Sequence, residues 1–498
     1  VTARYPTAAV TAALVLLSAA AVLLVHYQGW TLYYGDADAH LMIARRIVDS
    51  QNPGFEQFGS GWLPLPHLMM LPFVGVDAWW RNGLAGAIPV AACFVAGGSF
   101  FFAAVRRVFG STVAAVAAVA LFALNPNILY LQSIPMTEMV FFASLAALLY
   151  FTVRFGQSGG WLCAAGAGVA ACAGTLTRYE AWLLLPFTAA YFLIAARRHR
   201  WRVTLVFCVL AAAGPLAWLA YTWWMTGDCL DFIRGPYSPS AIQGRFSYPG
   251  LHDWRLAWLY FLTAVQVCAG PGLLVIGLAG LAVSLFKRAF WPLLLLALPP
   301  VFYVANMHSG ASPIFLPTLW PHSYYNARYG TSALPLLALA AAALVALVPQ
   351  RLRTAAAGVA ILAGMAYWFV HWKPSDWPVW QEASVNDAAR RERIRQTAEY
   401  LEPRYVRGTG IVTSSYPLTS VFREMGLPLR EGLMVDNGLP WLAAVQRPEF
   451  FLKQEWAIVE GGDQVQSAID RLGRFGVAYT LEKKIIVGNQ PVLEIYRR

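Results

Sequence analysis

Eleven runs of apolar residues, each near the length that crosses ~30 Å of hydrocarbon, fill most of residues 1–373 and limit this chain more than any other feature. They lie near 7–27, 84–105, 112–130, 136–153, 161–177, 181–196, 203–225, 256–286, 290–307, 329–349 and 354–372. In lipid a backbone N–H or C=O finds no water, so each run must close its hydrogen bonds internally as a helix. With 58% hydrophobic and 13% charged residues among 498, and a mean hydropathy of +0.51, the chain is far more apolar than a soluble core requires. The expected architecture is a multi-spanning bundle of about eleven transmembrane helices.

The formal charge of +11 suggests nucleic acid until its distribution is examined. From Pro374 onward there are 16 basic and 16 acidic residues, so the whole excess belongs to residues 1–373. If the helices alternate, the turns on the N-terminal side hold Arg106-Arg107, Arg154, Arg197 to Arg202, Lys287-Arg288 and Arg351 to Arg353, with no Asp or Glu. Every acidic residue of the membrane part falls on the other side. This is the positive-inside pattern. It places the N-terminus, with Arg4 before the first run, in the cytoplasm of a cell-membrane protein, and the C-terminal part outside. A cleaved signal peptide is the competing reading of 7–27, but the run is long for a signal core and lacks a clear cleavage site. The six cysteines show no Cys-x-x-Cys spacing, and most sit in apolar runs as small buried hydrophobes.

Two outer loops are expected, at about 28–82 and 226–254. Within the first, His40–Ser50 has Leu41, Ala44, Ile47 and Val48 on one helical side and Arg45, Arg46 and Asp49 on the other, which predicts an amphipathic helix lying on the membrane. The stretch from Trp62 to Pro72 is apolar but short and proline-rich, which fits an interfacial or re-entrant element. Gly270-Pro271-Gly272 predicts a kink inside 256–286. From Pro374 the charges mix and the apolar runs shorten. Ile411–Ser414, Trp456–Glu460, Ala478–Glu482, Lys484–Val487 and Val492–Tyr496 read as strands, the last two a hairpin across Gly488-Asn489-Gln490. Ala388–Leu401, Leu418–Met425 and Gln464–Phe475 read as helices. Residues 374–498 are therefore expected to form an extracytoplasmic α/β domain, beside a membrane domain of residues 1–373.

The residues with chemical potential cluster on the outer side. Ionisable groups beside a membrane segment are costly and therefore functional candidates. Asp36 and Asp38 follow the first run directly; one can act as general base on a hydroxyl while the other orients it or holds a cation. His40 and His67 share that loop and, with Asp38 and Glu138, are candidate ligands for a divalent metal ion. Glu138 opens a helix, where a carboxylate also favours the helix dipole. Arg178, Glu180 and Arg328 flank apolar runs at the same depth, and an arginine there can grip a phosphate or pair with a neighbouring acid. Arg245 lies in the second loop. Trp62, Tyr324 and Tyr325 are placed to stack on sugar rings or to anchor at the interface.

Asp36-Ala-Asp-Ala-His40-Leu-Met-Ile-Ala44-Arg45 resembles the first-loop motif of the GT-C glycosyltransferases, in the branch with protein O-mannosyltransferases and the lipid A aminoarabinose transferase. Trp62-Leu-Pro-Leu-Pro-His67, Pro135-Met-Thr-Glu138, Leu176-Thr-Arg178 and Arg328-Tyr329 are similar to further family segments in the same order, so the likeness covers about 30–350. It implies a GT-C membrane domain, a polyprenyl-phosphate-linked sugar donor, transfer with inversion outside the cytoplasm to a glycan, lipid or protein acceptor, and Asp36 as base. Ala37 stands where the family has Glu, and His40 where it has tyrosine, so Asp38 is the other candidate base. The tail lacks Trp-Trp-Asp and so does not resemble an oligosaccharyltransferase. A transporter or flippase of a lipid-linked substrate is the rival reading; it calls for polar residues near the bilayer midplane and inverted repeats, and the sequence has neither.

Overall fold

The computed structural model describes residues 5–236, 238, 241–242, 246–414 and 416–498. Seven helices among them are long and apolar enough to cross a membrane: Pro6–Tyr27, Leu84–Phe109, Glu138–Ser158, Arg200–Thr226, Phe290–Ser309, Ala327–Leu347 and Gln350–Val370. The pair Trp254–Ala269 and Pro271–Phe286 makes an eighth if counted as one span, bent by 112° at the expected break. Gly270 takes φ +74°, which favours glycine, and Pro271 opens the second helix, where its missing N–H costs nothing.

Of the eleven expected runs, seven, or eight with the bent pair, form helices of spanning length among the described residues. The runs at 112–130, 161–177 and 181–196 do form helices, but of 12, 15 and 16 residues. Asn125-Pro126 cuts the first of them short: the Asn125 side chain accepts the Asn127 N–H and starts a separate helix, Pro126–Leu131. Cys229, outside the apolar runs, is exposed.

Contacts divide the chain into two compact units, a helical one comprising Val1–Gln28, Ser60–Pro66 and Ala87–Glu382, and a second comprising Gly29–Gly59, His67–Gly86 and Ala383–Arg498. The helical unit packs through small residues that let backbones approach. At Gly330 a Cβ would lie 2.3 Å from the Ala264 carbonyl oxygen, an atom that cannot swing aside. Gly330→Ala is expected to cost ~1–3 kcal/mol through overpacking, read as a lower thermal midpoint in detergent; an unchanged midpoint would show that the two backbones separate freely.

The second unit is built on a five-stranded sheet, β1 (Ile411–Thr413), β2 (Gly432–Met434), β3 (Trp456–Glu460), β4 (Thr480–Ile485) and β5 (Leu493–Arg497), in the order β2-β1-β3-β5-β4. β2, β1 and β3 are parallel; β5 runs antiparallel to both β3 and β4. Alternate residues face opposite layers, as the pleat requires. Ile411, Trp456, Ile458 and Ile495 join Ile394, Leu401 and Phe422 in one core, whereas Val412, Ala457 and Val459 join Trp441, Val465 and Leu472 in the other. The hairpin stands as expected. The break expected at Lys483 is instead a register shift within one strand, and β2, only three residues long, has no sequence signal of its own.

The first loop supplies the main difference from expectation. Leu41, Met42 and Ala44 belong to the same core as Ile411 and Trp456, so this segment is part of the α/β unit. Its helix runs Gly35–Val48 and is buried on its polar side too, contrary to an amphipathic helix with a wet face. Arg45 is held by Asp49, Asp77 and the Val74 carbonyl, and Arg46 by Asp436 and the Gln57 carbonyl. Each buried guanidinium thus has a carboxylate, the condition on which burial is tolerable. The stretch after Trp62 forms a ten-residue helix, Leu65–Val74, too short to span.

Candidate functional site

In the α/β unit the candidate centre is the first turn of helix Gly35–Val48. The Gly35 N–H, which has no partner inside its helix, donates to Asp387 at 2.8 Å. Arg390 bridges Asp387 (3.0 Å) and Asp38 (2.7 Å). The Ser420 hydroxyl donates to Asp38, and the Arg423 Nε lies 3.3 Å from its other oxygen. Arg391 donates to the Tyr33 carbonyl at 2.9 Å and lies 4.1 Å over the Tyr33 ring. Asp38 is 2% exposed. Burial alone would raise its pKa, but the charges of Arg423 and Arg390 and the Ser420 and Arg390 hydrogen bonds outweigh it and hold the carboxyl below its ordinary value.

Residues two apart on a helix point roughly 200° apart. With Asp38 turned into this clamp, Asp36 leaves the helix on another side, half-buried. The turn thus directs its two carboxylates to different sides. Asp38 is stabilised as an anion, which makes it a weak base: one oxygen accepts from Arg390 and Ser420, and the other, without a hydrogen bond among the described residues, faces Arg423.

His40 Nδ1 and His67 Nε2 are 2.9 Å apart in a buried hydrogen bond. Burial, then the proximity of His40 and Arg46, keeps the pKa of His67 well below the usual histidine range. This pair tests the metal expectation. Among the described residues no three His, Cys, Asp or Glu side chains come together as a ligand set. Asp38 is surrounded by cations, and the two imidazoles use facing nitrogens on each other. Asp38, His40 and His67 therefore do not form a ligand set among the described residues.

In the helical unit Glu138, Arg178, Glu180 and Arg328 do come together. Glu138 and Glu180 each open a helix, at the end where a carboxylate is favoured. Arg178 donates to Glu180, to Glu138 at 3.1 Å, to the Thr137 hydroxyl at 2.6 Å and to the Tyr303 hydroxyl at 2.6 Å. Tyr303 in turn donates to Glu180 at 2.6 Å. Arg328 Nε lies 3.1 Å from Glu138, whose other oxygen is buried without a hydrogen-bond partner among the described residues. Two arginines and two glutamates balance in charge, and the Tyr303 and Tyr329 rings stack at 4.3 Å beside them. A balanced network of this kind can take up an anion by exchanging one carboxylate contact for a phosphate oxygen.

Of the aromatic candidates, Trp62 and Tyr325 are 36% and 37% exposed. Tyr325 exchanges two backbone hydrogen bonds with Phe315, and the Tyr324 hydroxyl donates to Gln381. Arg245 lies outside the described residues. Sequence reasoning missed Tyr303, Arg390, Ser420 and Arg423. Tyr303 carries a polar tip inside an apolar run, a detectable signal. The others sit in an ordinary amphipathic helix and a short helical turn, where only the fold marks them.

Residues 80–224 match the family described as dolichyl-phosphate-mannose-protein mannosyltransferase. No curated protein sequence matches the chain. Its fold is similar to that of ArnT from Cupriavidus metallidurans bound to undecaprenyl phosphate, with TM-score 0.59, 12% identity and 97% of each chain covered. It is also similar to the Archaeoglobus fulgidus oligosaccharyltransferase in complex with Zn and sulfate (TM-score 0.51, 13% identity, 90% of this chain and 67% of that one). A third match is AglB from Archaeoglobus fulgidus with an inhibitory peptide and a dolichol-phosphate (TM-score 0.52, 14% identity, 91% and 69%). The apolar helices and these matches together identify the chain as an integral membrane protein with a fold similar to those of ArnT and the Archaeoglobus fulgidus oligosaccharyltransferase.

Proposed function

We propose that this protein transfers a sugar from a polyprenyl-phosphate donor to a hydroxyl of a glycan, lipid or protein acceptor on the extracytoplasmic face of the cell membrane, with inversion. The reaction needs a base for the acceptor hydroxyl and cations for the departing phosphate. Asp36 is assigned the first role: it takes the hydroxyl proton as the acceptor oxygen bonds to the anomeric carbon and the carbon–oxygen bond to the phosphate breaks. Arg178 and Arg328 are assigned the second, since guanidinium forks match phosphate oxygens and placed cations stabilise the charge that develops on the leaving group. Glu138 and Glu180 hold those arginines, and Trp62, Tyr324 and Tyr325 are assigned to the sugar and acceptor.

The observation that carries the reading is the divergence of the two acids on one helical turn, Asp38 directed between Arg390 and Arg423 and Asp36 directed to another side, half-buried. The relatives support the donor class, because the ArnT structure contains undecaprenyl phosphate and the AglB structure a dolichol-phosphate. The sidedness rests on the arginine-rich turns, which carry no acid. The test is transfer of radiolabelled sugar in proteoliposomes from a panel of polyprenyl-phosphate sugars. Label is expected to reach an acceptor from at least one of them. If none serves while a nucleotide sugar does, the donor assignment is lost.

A further inference from the structure

Outside the charged clusters assigned above, the helical unit buries another carboxylate, that of Glu382, which is 3% exposed. It accepts two successive backbone N–H groups, from Asn326 at 2.6 Å and from Ala327 at 2.9 Å. Asn326 is at φ +55°, in the left-handed region, so the chain turns sharply where the carboxylate holds it. The same turn is tied by the Asn326 side chain to the Pro313 carbonyl and by the Cys268 thiol to the Ala327 carbonyl. The segment bearing Glu382 is itself fixed: the Val379 N–H donates to the Asn127 side chain at 3.1 Å, and Gln381 accepts from the Tyr324 hydroxyl. The residue that follows the turn is Arg328, 3.1 Å from Glu138.

We propose that Glu382 is a positioning residue that acts through Arg328: by holding the Asn326–Ala327 backbone it sets where that guanidinium meets a lipid-linked phosphate. The inference rests on the donor reading given above. Hydrogen bonds from backbone N–H to a carboxylate are among the stronger ones, and both of these are short and shielded from water. A long, flexible side chain such as arginine is only as well placed as the backbone beneath it. The close approach of Gly330 to the Ala264 backbone holds the other side of Arg328.

The experiment measures binding of polyprenyl phosphate, without sugar, to the full chain in nanodiscs, for wild type, Glu382→Gln, Arg328→Ala and the double variant. Glutamine keeps the size of the side chain but turns a donor toward one of the two N–H groups. Glu382→Gln is expected to weaken binding about tenfold, and the double variant to bind within about twofold of Arg328→Ala alone, as coupled positions do. A purely architectural role would leave the affinity of Glu382→Gln at the wild-type value or make the two losses multiply, and either result overturns the inference alone. A wild type that binds no polyprenyl phosphate removes the donor reading and this inference together. If Glu382→Gln does not fold, Glu382→Asp takes its place in the cycle under the same criteria.

Discussion

Asp36→Asn is expected to reduce sugar transfer by ~10²–10⁴-fold, the usual contribution of a positioned general base, while leaving the thermal midpoint of the protein near that of wild type. Asp38→Asn is expected to do the reverse in emphasis. Asp38 is 2% exposed between Arg390 and Arg423, so the amide takes from two guanidiniums their most buried anion and leaves them only Asp387 and Glu424. Removing one partner of a buried pair costs ~3–5 kcal/mol, and the loss of activity should follow the loss of folded protein. Transfer assays and unfolding curves on both variants separate the two roles. Equal loss of activity per folded molecule in the two would return Asp38 to the chemistry. The pH dependence gives a second check. The folded-state pKa of Asp38 lies below its ordinary 3.8, so its stabilisation is fully present above that value and is lost as pH falls through the folded pKa. The stability gap between wild type and Asp38→Asn should therefore be constant near neutrality and close only below about pH 4.

Different physical causes decided what could be read from the sequence. Spans such as Pro6–Tyr27 and Leu84–Phe109 were legible because lipid demands long apolar helices, and the bend at Gly270-Pro271 because those residues break helices locally. The strands Ile411–Thr413 and Trp456–Glu460 were legible as β-branched and aromatic runs. Strand Gly432–Met434 was not, since three residues between helical turns take their conformation from pairing with β1. The same limit applies to the candidate site. Glu138, Arg178, Glu180 and Arg328 could be picked out as charges among apolar neighbours, and the structure brings them together in the helical unit. Arg390 and Ser420 could not, because one charge in Ala388–Leu401, or one hydroxyl in Ser420–Glu424, looks like solvent-facing surface until Asp38 is placed against it. The polar side of His40–Ser50 was misjudged for this reason: Arg45 and Arg46 imply water unless the acids that bury them, Asp77 and Asp436, are known to be near.

The C-terminal residues are tied to the first loop by charge, and that tie can be broken from either end. Arg390→Leu is expected to destabilise the α/β unit by ~3–5 kcal/mol, because Asp38 and Asp387 then lose a cation that both share in a poorly solvated place. Introducing Asp38→Asn in the same chain should recover part of that loss: with the anion gone, the missing cation matters less, and contacting residues do not behave additively. Limited proteolysis of the full chain in detergent, together with thermal unfolding, reads this as a cycle of four proteins. Losses that simply add would mean that Asp38 and Arg390 stabilise the unit independently, and the clamp would reduce to the hydrophobic core around Ile411 and Trp456. Coupled losses carry a further consequence for catalysis. Asp387 also accepts the Gly35 N–H, so a displaced Arg390 frees the first turn of the helix that bears Asp36. Among molecules that remain folded, Arg390→Leu should therefore lower the rate of transfer more than the affinity for the donor.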